Sequence, residues 1–184
     1  MPDVRTNMRL MFEASDEFLA AIAQRIFALL PETVDARPPP GESKTSGSWR
    51  LMPAGEAMLN NRIRLYRYAR DEVFLPHFDG AYPRSARQVS MLTFLIYLGG
   101  GLEGGETTFY PEGRTSFASE PGEVEPIKVA PAAGRALFFE HGPCYASPFH
   151  EGTPHTTDGV YKYVFRSDVM YEWEATHSEA DNEN

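Results

Sequence analysis

Cysteine is almost absent. The one thiol, Cys144, excludes a disulfide framework and any cysteine-built zinc cluster. No apolar run approaches the length of a membrane-spanning helix. The N-terminal MPDVRTNMRL has no signal-peptide core, so the chain reads as cytoplasmic. Positive charge is scarce: 17 Lys+Arg stand against 26 Asp+Glu, for a net charge of −9 and a pI near 5.0. That balance argues against nucleic-acid or anionic-membrane partners. There is no H-E-x-x-H, and the glycines at 99–101 and 104–105 lack the strand–helix setting of a phosphate cradle.

What is present suits one folded domain over residues 1–184, with a core of about 60–171 and an acidic tail over 172–184. Residues 15–30, SDEFLAAIAQRIFALL, predict an amphipathic helix. Ser15 is its N-cap, Asp16 and Glu17 suit its first turn, and Pro31 ends it. Phe18, Ile22, Ile26 and Leu29 form the expected packing stripe. Residues 35–48 are rich in Pro, Gly and Ser and read as a loop, with a lid as one role. After residue 60 the texture turns to β-branched and aromatic runs punctuated by Gly and Pro. Strands are predicted near 62–69, 73–78, 89–98, 106–110, 123–130, 134–140, 145–150 and 160–171. Many short strands without interleaved helices indicate a mostly β (α+β) sandwich or jelly roll with a flanking N-terminal helix.

His77-Phe78-Asp79 closes one of these strands. Residues i and i+2 of a strand share a side, so His77 and Asp79 can converge on one ion. A third ligand must come from His141, His150, His155 or His177. Two histidines and a carboxylate make the facial triad of non-haem Fe(II) oxygenases, whereas zinc hydrolases favour other donor sets.

Four segments, in order, carry a resemblance: RLYRYARDEVFLPHFDG (64–80), LTFLIYLGGGLEGGETTFY (92–110), GRALFFEH (134–141), and HEGTP followed by GVYKYVFRSDVMY. The chain resembles the prolyl-4-hydroxylase-like branch of the Fe(II)/2-oxoglutarate dioxygenases over roughly residues 62–171. The resemblance implies a double-stranded β-helix. It implies His77, Asp79 and His150 as iron ligands, and Lys162 as the base that binds the far carboxylate of 2-oxoglutarate. Tyr68 and Thr107 match hydroxyl donors to the same cosubstrate. Lys162 lies twelve residues after His150, two more than is common in the family, and a longer turn at His155–Gly159 would absorb them. Arg166, on the same strand face, competes for the lysine's role.

Implied cofactors are Fe(II), 2-oxoglutarate and O2, with ascorbate as an accessory reductant. The implied reaction couples oxidative decarboxylation of 2-oxoglutarate to hydroxylation of an unactivated C–H bond, nearest to prolyl hydroxylation of a peptide or protein. Alternatives are hydroxylation of a free amino acid or small carboxylate, a cupin-type metal protein that does not use 2-oxoglutarate, and a non-catalytic binding domain. Arg64, Tyr66, Phe74 and Arg166 are substrate candidates, because alternation from Tyr68 sends Arg62, Arg64 and Tyr66 to one side. Tyr82, Arg84 and Trp173 are candidates for the rim. His141 reads as a loop histidine, His155 as solvated or substrate-facing, His177 as exposed, and Cys144 as buried. The oligomeric state is open.

Overall fold

The computed structural model describes residues 5–42, 46–55, 58–110 and 125–175. Its strands are β1 (Met8–Glu13), β2 (Thr33–Val34), β3 (Gly47–Leu51), β4 (Arg62–Tyr68), β5 (Phe74–His77), β6 (Gln88–Tyr97), β7 (Thr107–Tyr110), β8 (Ile127–Val129), β9 (Ala136–Glu140), β10 (Phe149–Gly152) and β11 (Lys162–Ala175). One α-helix, α1 (Asp16–Ile26), precedes β2. Among the described residues no helix is long and apolar enough to cross a membrane.

The strands form two antiparallel sheets. In the seven-stranded sheet β11 is the spine: β4 pairs with its first half, β3 with its last residues, and β6 runs along its other edge. β1, β2 and β9 flank β4, β3 and β6. The smaller sheet runs β5-β10-β7-β8. This is the double-stranded β-helix, a jelly roll closed by two facing sheets.

β6 and β11 are covered on both faces, so β6 is apolar almost throughout and β11 is buried along most of its length, including the polar Lys162, Arg166, Ser167 and Asp168. On β6, Leu92 and Phe94 enter the core beneath α1, and Leu95 and Tyr97 enter a second core with Tyr66, Tyr68 and Val164. A bulge at Met91 sends Met91 and Leu92, two consecutive side chains, to the helix side.

α1 begins as expected. Ser15 Oγ accepts from Phe18 N at 3.3 Å, with Asp16 and Glu17 at the helix's positive end. The buried stripe, however, is Leu19, Ala23 and Ile26, with Ile22 partly covered. Phe18 lies at its edge, its ring 6.3 Å from that of Phe165, and Leu29 is exposed. The helix tightens into a 3₁₀ turn over Phe27–Leu29. Three residues per turn rotate Leu29 off the face that 3.6 would have given it.

Other expectations are corrected. The chain after Glu172 continues in β11 to Ala175, with Trp173 buried against Trp49, so residues 172–175 belong to the sheet and not to a solvated tail. The strand expected at 145–150 begins only at Phe149, because the preceding segment turns at His141–Cys144 and bridges back to Ala36. Residues 35–42 are loop, as expected, but anchored, since Arg37 N donates to Pro143 O and Trp49 Nε1 donates to Arg37 O; the expected loop is corrected only at its end, where β3 starts at Gly47. β1, β2 and β3 were not expected at all.

Candidate active site

β5 delivers His77 at its end, and Asp79 follows two residues on. β10 delivers His150 as the direct cross-strand partner of His77. One donor atom from each of the three residues lies within 4.8 Å of the others. The two imidazoles are set alike. His77 Nδ1–H donates to Leu75 O at 2.8 Å, and His150 Nδ1–H donates to Pro148 O at 3.1 Å. That tautomer leaves both Nε2 lone pairs for the centre. His77 Nε2 is buried and, among the described residues, has no hydrogen-bond partner. It stands 3.4 Å from Asp79 Oδ1, and His150 Nε2 stands 3.7 Å from Asp79 Oδ2. Burial pushes His150 down to about 4, so its ring is neutral at pH 7, as a metal ligand must be. Two imidazoles that turn Nε2 inward and one carboxylate, with an orphaned nitrogen between them, fit Fe(II).

Asp79 is held from the opposite sheet. Arg166 Nη1 donates to Oδ1 at 2.8 Å, and Thr93 Oγ1 donates to Oδ2 at 2.7 Å. Burial works against ionisation of Asp79, but the Arg166 guanidinium outweighs it and holds the carboxyl well below the usual carboxylate range. Thr93 Oγ1 in turn lies 2.7 Å from His141 Nδ1, and His141 Nε2 lies 2.9 Å from Ser90 Oγ. The Thr93 proton serves the carboxylate, so His141 Nδ1–H donates to Thr93, while Nε2 lies beside both Ser90 Oγ and Ser90 O. His141 lies in the turn after β9, as a loop histidine would, but it is fully buried and props Asp79 from behind. Arg166 also reaches Asp168 Oδ1 at 3.4 Å, and Arg64 Nη1 reaches Asp168 Oδ2 at 3.1 Å. Burial disfavours the charge on Arg166, but Asp79 and Asp168 hold its pKa raised.

One small cavity, of about 40 Å³, joins His77, Asp79 and His150 to Lys162, Tyr68 and Thr107. Lys162 opens β11 opposite Tyr68 of β4. Its Nζ donates to Gly105 O at 2.8 Å and lies 4.3 Å from the Tyr68 ring centre. Burial lowers its pKa to about 8, against a smaller opposing pull from Glu106. Gly105 has φ +76°, a conformation that favours glycine, and a Cβ there would press on His155 Cβ at 3.3 Å. Thr107 Oγ1 accepts from Tyr97 Oη at 2.7 Å, which directs the threonine's own proton elsewhere. The segment before Lys162 turns at Asp158–Gly159, where Gly159 has φ +69°.

The substrate candidates divide. Tyr66, Phe74 and Arg166 line the cavity, Phe74 stacked on His77 at 3.8 Å between ring centres. Arg64 does not line it; the alternation was right, but Asp168 draws the guanidinium away. Nor does Trp173, which is core, nor Arg84, whose Nη2 donates to Leu59 O at 3.1 Å, nor Tyr82. His155 is neither ligand nor solvated: it is fully buried, with Nε2 3.2 Å from Tyr68 O. His177 lies outside the described residues. Loop residues 35–42 do not border the cavity. Sequence reasoning missed Thr93, Tyr97 and Glu151. Thr93 and Tyr97 share a β6 face with Leu95, a period-two signal hidden because both faces of β6 are covered. Glu151 lines the cavity and accepts from Tyr110 Oη.

The family model described as the 2OG-Fe(II) oxygenase superfamily matches residues 63–167. No curated protein matches the chain. Among solved structures it is similar to a prolyl-4-hydroxylase from Pseudomonas putida at 16% identity and TM-score 0.52, over 91% of this chain and 73% of that one. It is similar to a viral collagen prolyl hydroxylase from Paramecium Bursaria Chlorella virus-1 at 16% identity and TM-score 0.42, over 89% and 96%. A Trichoplax adhaerens prolyl hydroxylase, in complex with a hypoxia inducible factor peptide fragment, gives 13% identity and TM-score 0.43, over 89% and 84%.

Proposed function

The chain belongs to the 2OG-Fe(II) oxygenase superfamily, which uses Fe(II), 2-oxoglutarate and O2, and from that premise we propose that it hydroxylates an unactivated C–H bond of a prolyl residue in a peptide or protein. The observation that carries the oxygenase reading is the meeting of a two-histidine, one-carboxylate cluster with a buried lysine in one cavity. The iron, when bound, supplies the activation of O2 and the oxidative decarboxylation of 2-oxoglutarate to succinate and CO2.

In this reading His77 and His150 offer Nε2 and Asp79 one carboxylate oxygen. Arg166 and Thr93 keep Asp79 ionised and fixed in rotamer. Lys162 pairs with the far carboxylate of 2-oxoglutarate, and the hydroxyls of Tyr68 and Thr107 donate to the same group. Leu95, Phe139 and Val164 keep water from the cosubstrate. The prolyl substrate is the class named for the solved structures that share the fold. A small carboxylate finds less support, since Arg64 and Arg166 are tied to Asp168 and Asp79.

The test is an anaerobic titration with Fe(II) and then 2-oxoglutarate, followed by succinate assays with proline-containing peptides, free amino acids and small carboxylates. A saturable visible charge-transfer band, weakened in Lys162→Ala, supports the oxygenase reading. Succinate release stimulated by the peptides alone supports the prolyl substrate. Metal binding without a band overturns the oxygenase reading. Stimulation only by small carboxylates overturns the prolyl one.

A further inference from the structure

β1 is an uncovered edge. It pairs with β4, and among the described residues nothing pairs with its other side. All six of its residues are exposed, with Met8 at 58%, Leu10 at 59% and Phe12 at 42%. An edge strand is ordinarily blunted by proline, a bulge or an overlying segment. MRLMFE has no proline, and its register with β4 runs unbroken from Met8↔Arg67 to Glu13↔Arg62. Directly opposed residues share a face. Leu10 and Phe12 therefore lie with Leu65 and Ile63 on the helix-bearing face, and Arg9, Met11 and Glu13 lie on the other. Arg9 and Glu13 make no ion pair with any described residue of their own chain.

We propose that β1 pairs antiparallel with β1 of a second copy, about a two-fold axis through Met11, and so joins the two seven-stranded sheets into one. Charge selects both the occupant and the register. A pair centred on Met11 sets Arg9 opposite Glu13 of the other copy, twice, and Leu10 opposite Phe12, twice. Centring on Leu10 sets Arg9 opposite Met11 and Glu13 opposite Asn7. Centring on Phe12 sets Glu13 opposite Met11. Of the three, the Met11 register alone gives each charge its opposite, and it also sets Leu10 against Phe12 and Met11 against itself. The interface is isologous and therefore closes at two copies.

Sedimentation of the full chain tests this. The wild type is expected at twice the monomer mass of 20.6 kDa. Arg9→Glu alone places Glu opposite Glu, Glu13→Arg alone places Arg opposite Arg, and each is expected as a monomer at the same concentration. An equimolar mixture of the two variants restores both opposite-charge pairs and is expected to return to twice the monomer mass, as is the double variant R9E/E13R. Recovery on mixing is a result that misfolded variants could not give. A monomeric wild type at every soluble concentration, a dimer untouched by the single reversals, or single variants that stay monomeric when mixed would each overturn the proposal.

Discussion

A single amine carries much of the site's pH behaviour. The pKa of Lys162 falls from an ordinary 10.5 to about 8 because it is buried. Between those values the native state binds fewer protons than the unfolded one, so the Lys162 contribution to stability rises with pH across that window as the penalty on a buried charge is relieved. An incoming carboxylate reverses the preference and draws a proton onto Nζ. The affinity for 2-oxoglutarate is therefore expected to fall above pH 8, approaching about tenfold per pH unit, with proton uptake on binding. Calorimetry in two buffers of different ionisation enthalpy measures that uptake, and Lys162→Met should abolish it. Thr93 allows a second test at this scale. Thr93→Val removes the donor to Asp79 Oδ2 at nearly constant volume. Loss of such an outer hydrogen bond weakens metal binding about 10- to 100-fold. A Mn(II) titration read by electron spin resonance should show that loss with the far-ultraviolet dichroism unchanged.

At the scale of elements, α1 separates pattern from packing. Leu19 is fully buried and Leu29 is exposed, although the helical period alone favoured Leu29. Leu19→Ala should cost about 2–5 kcal/mol in urea unfolding. Leu29→Ala should change stability by no more than about 0.5 kcal/mol. The same contrast explains which elements could be read from the chain. β4 to β7, β9 and β11 were legible because burial imposes a pattern on them: β4 alternates at its end, β6 is an apolar run, and β11 is rich in aromatic and β-branched residues. β1 has no buried face and so no period, and β2 is two residues long. β3 is short and follows a Pro- and Ser-rich stretch that reads as loop. The start of β10 was misplaced because Cys144 and Tyr145 resemble strand residues, while a turn and the bridge to Ala36 govern that segment.

At the scale of the molecule, the site straddles the two sheets. The smaller sheet brings His77 and His150, and the larger brings Lys162, Tyr68, Arg166 and Thr93. Short spacings were readable: the H-x-D triplet and the even spacing of Lys162 and Arg166. The Arg166–Asp79 pair, 87 residues apart, and the Asn60–Asp168 hydrogen bond, 108 residues apart, were not, because only the folded sheets bring them together. That division predicts how a metal acts on the whole fold. An ion held by His77, Asp79 and His150 binds the native state alone, since the unfolded chain does not gather these ligands. At a hundred times its Kd it adds about 2.7 kcal/mol. For a chain of this length that corresponds to a rise in Tm of roughly 5–11 °C. Calorimetric scans with Mn(II) should show the rise, a chelator should reverse it, and His150→Ala should lose it. Lys162→Met should keep the metal increment and lose only the further rise that 2-oxoglutarate adds. An equal Mn(II) shift in wild type and His150→Ala would place the ion outside the triad. Failure of 2-oxoglutarate to add stability in the wild type would remove Lys162 from the cosubstrate's site, because the dianion must neutralise a buried ammonium that burial alone disfavours.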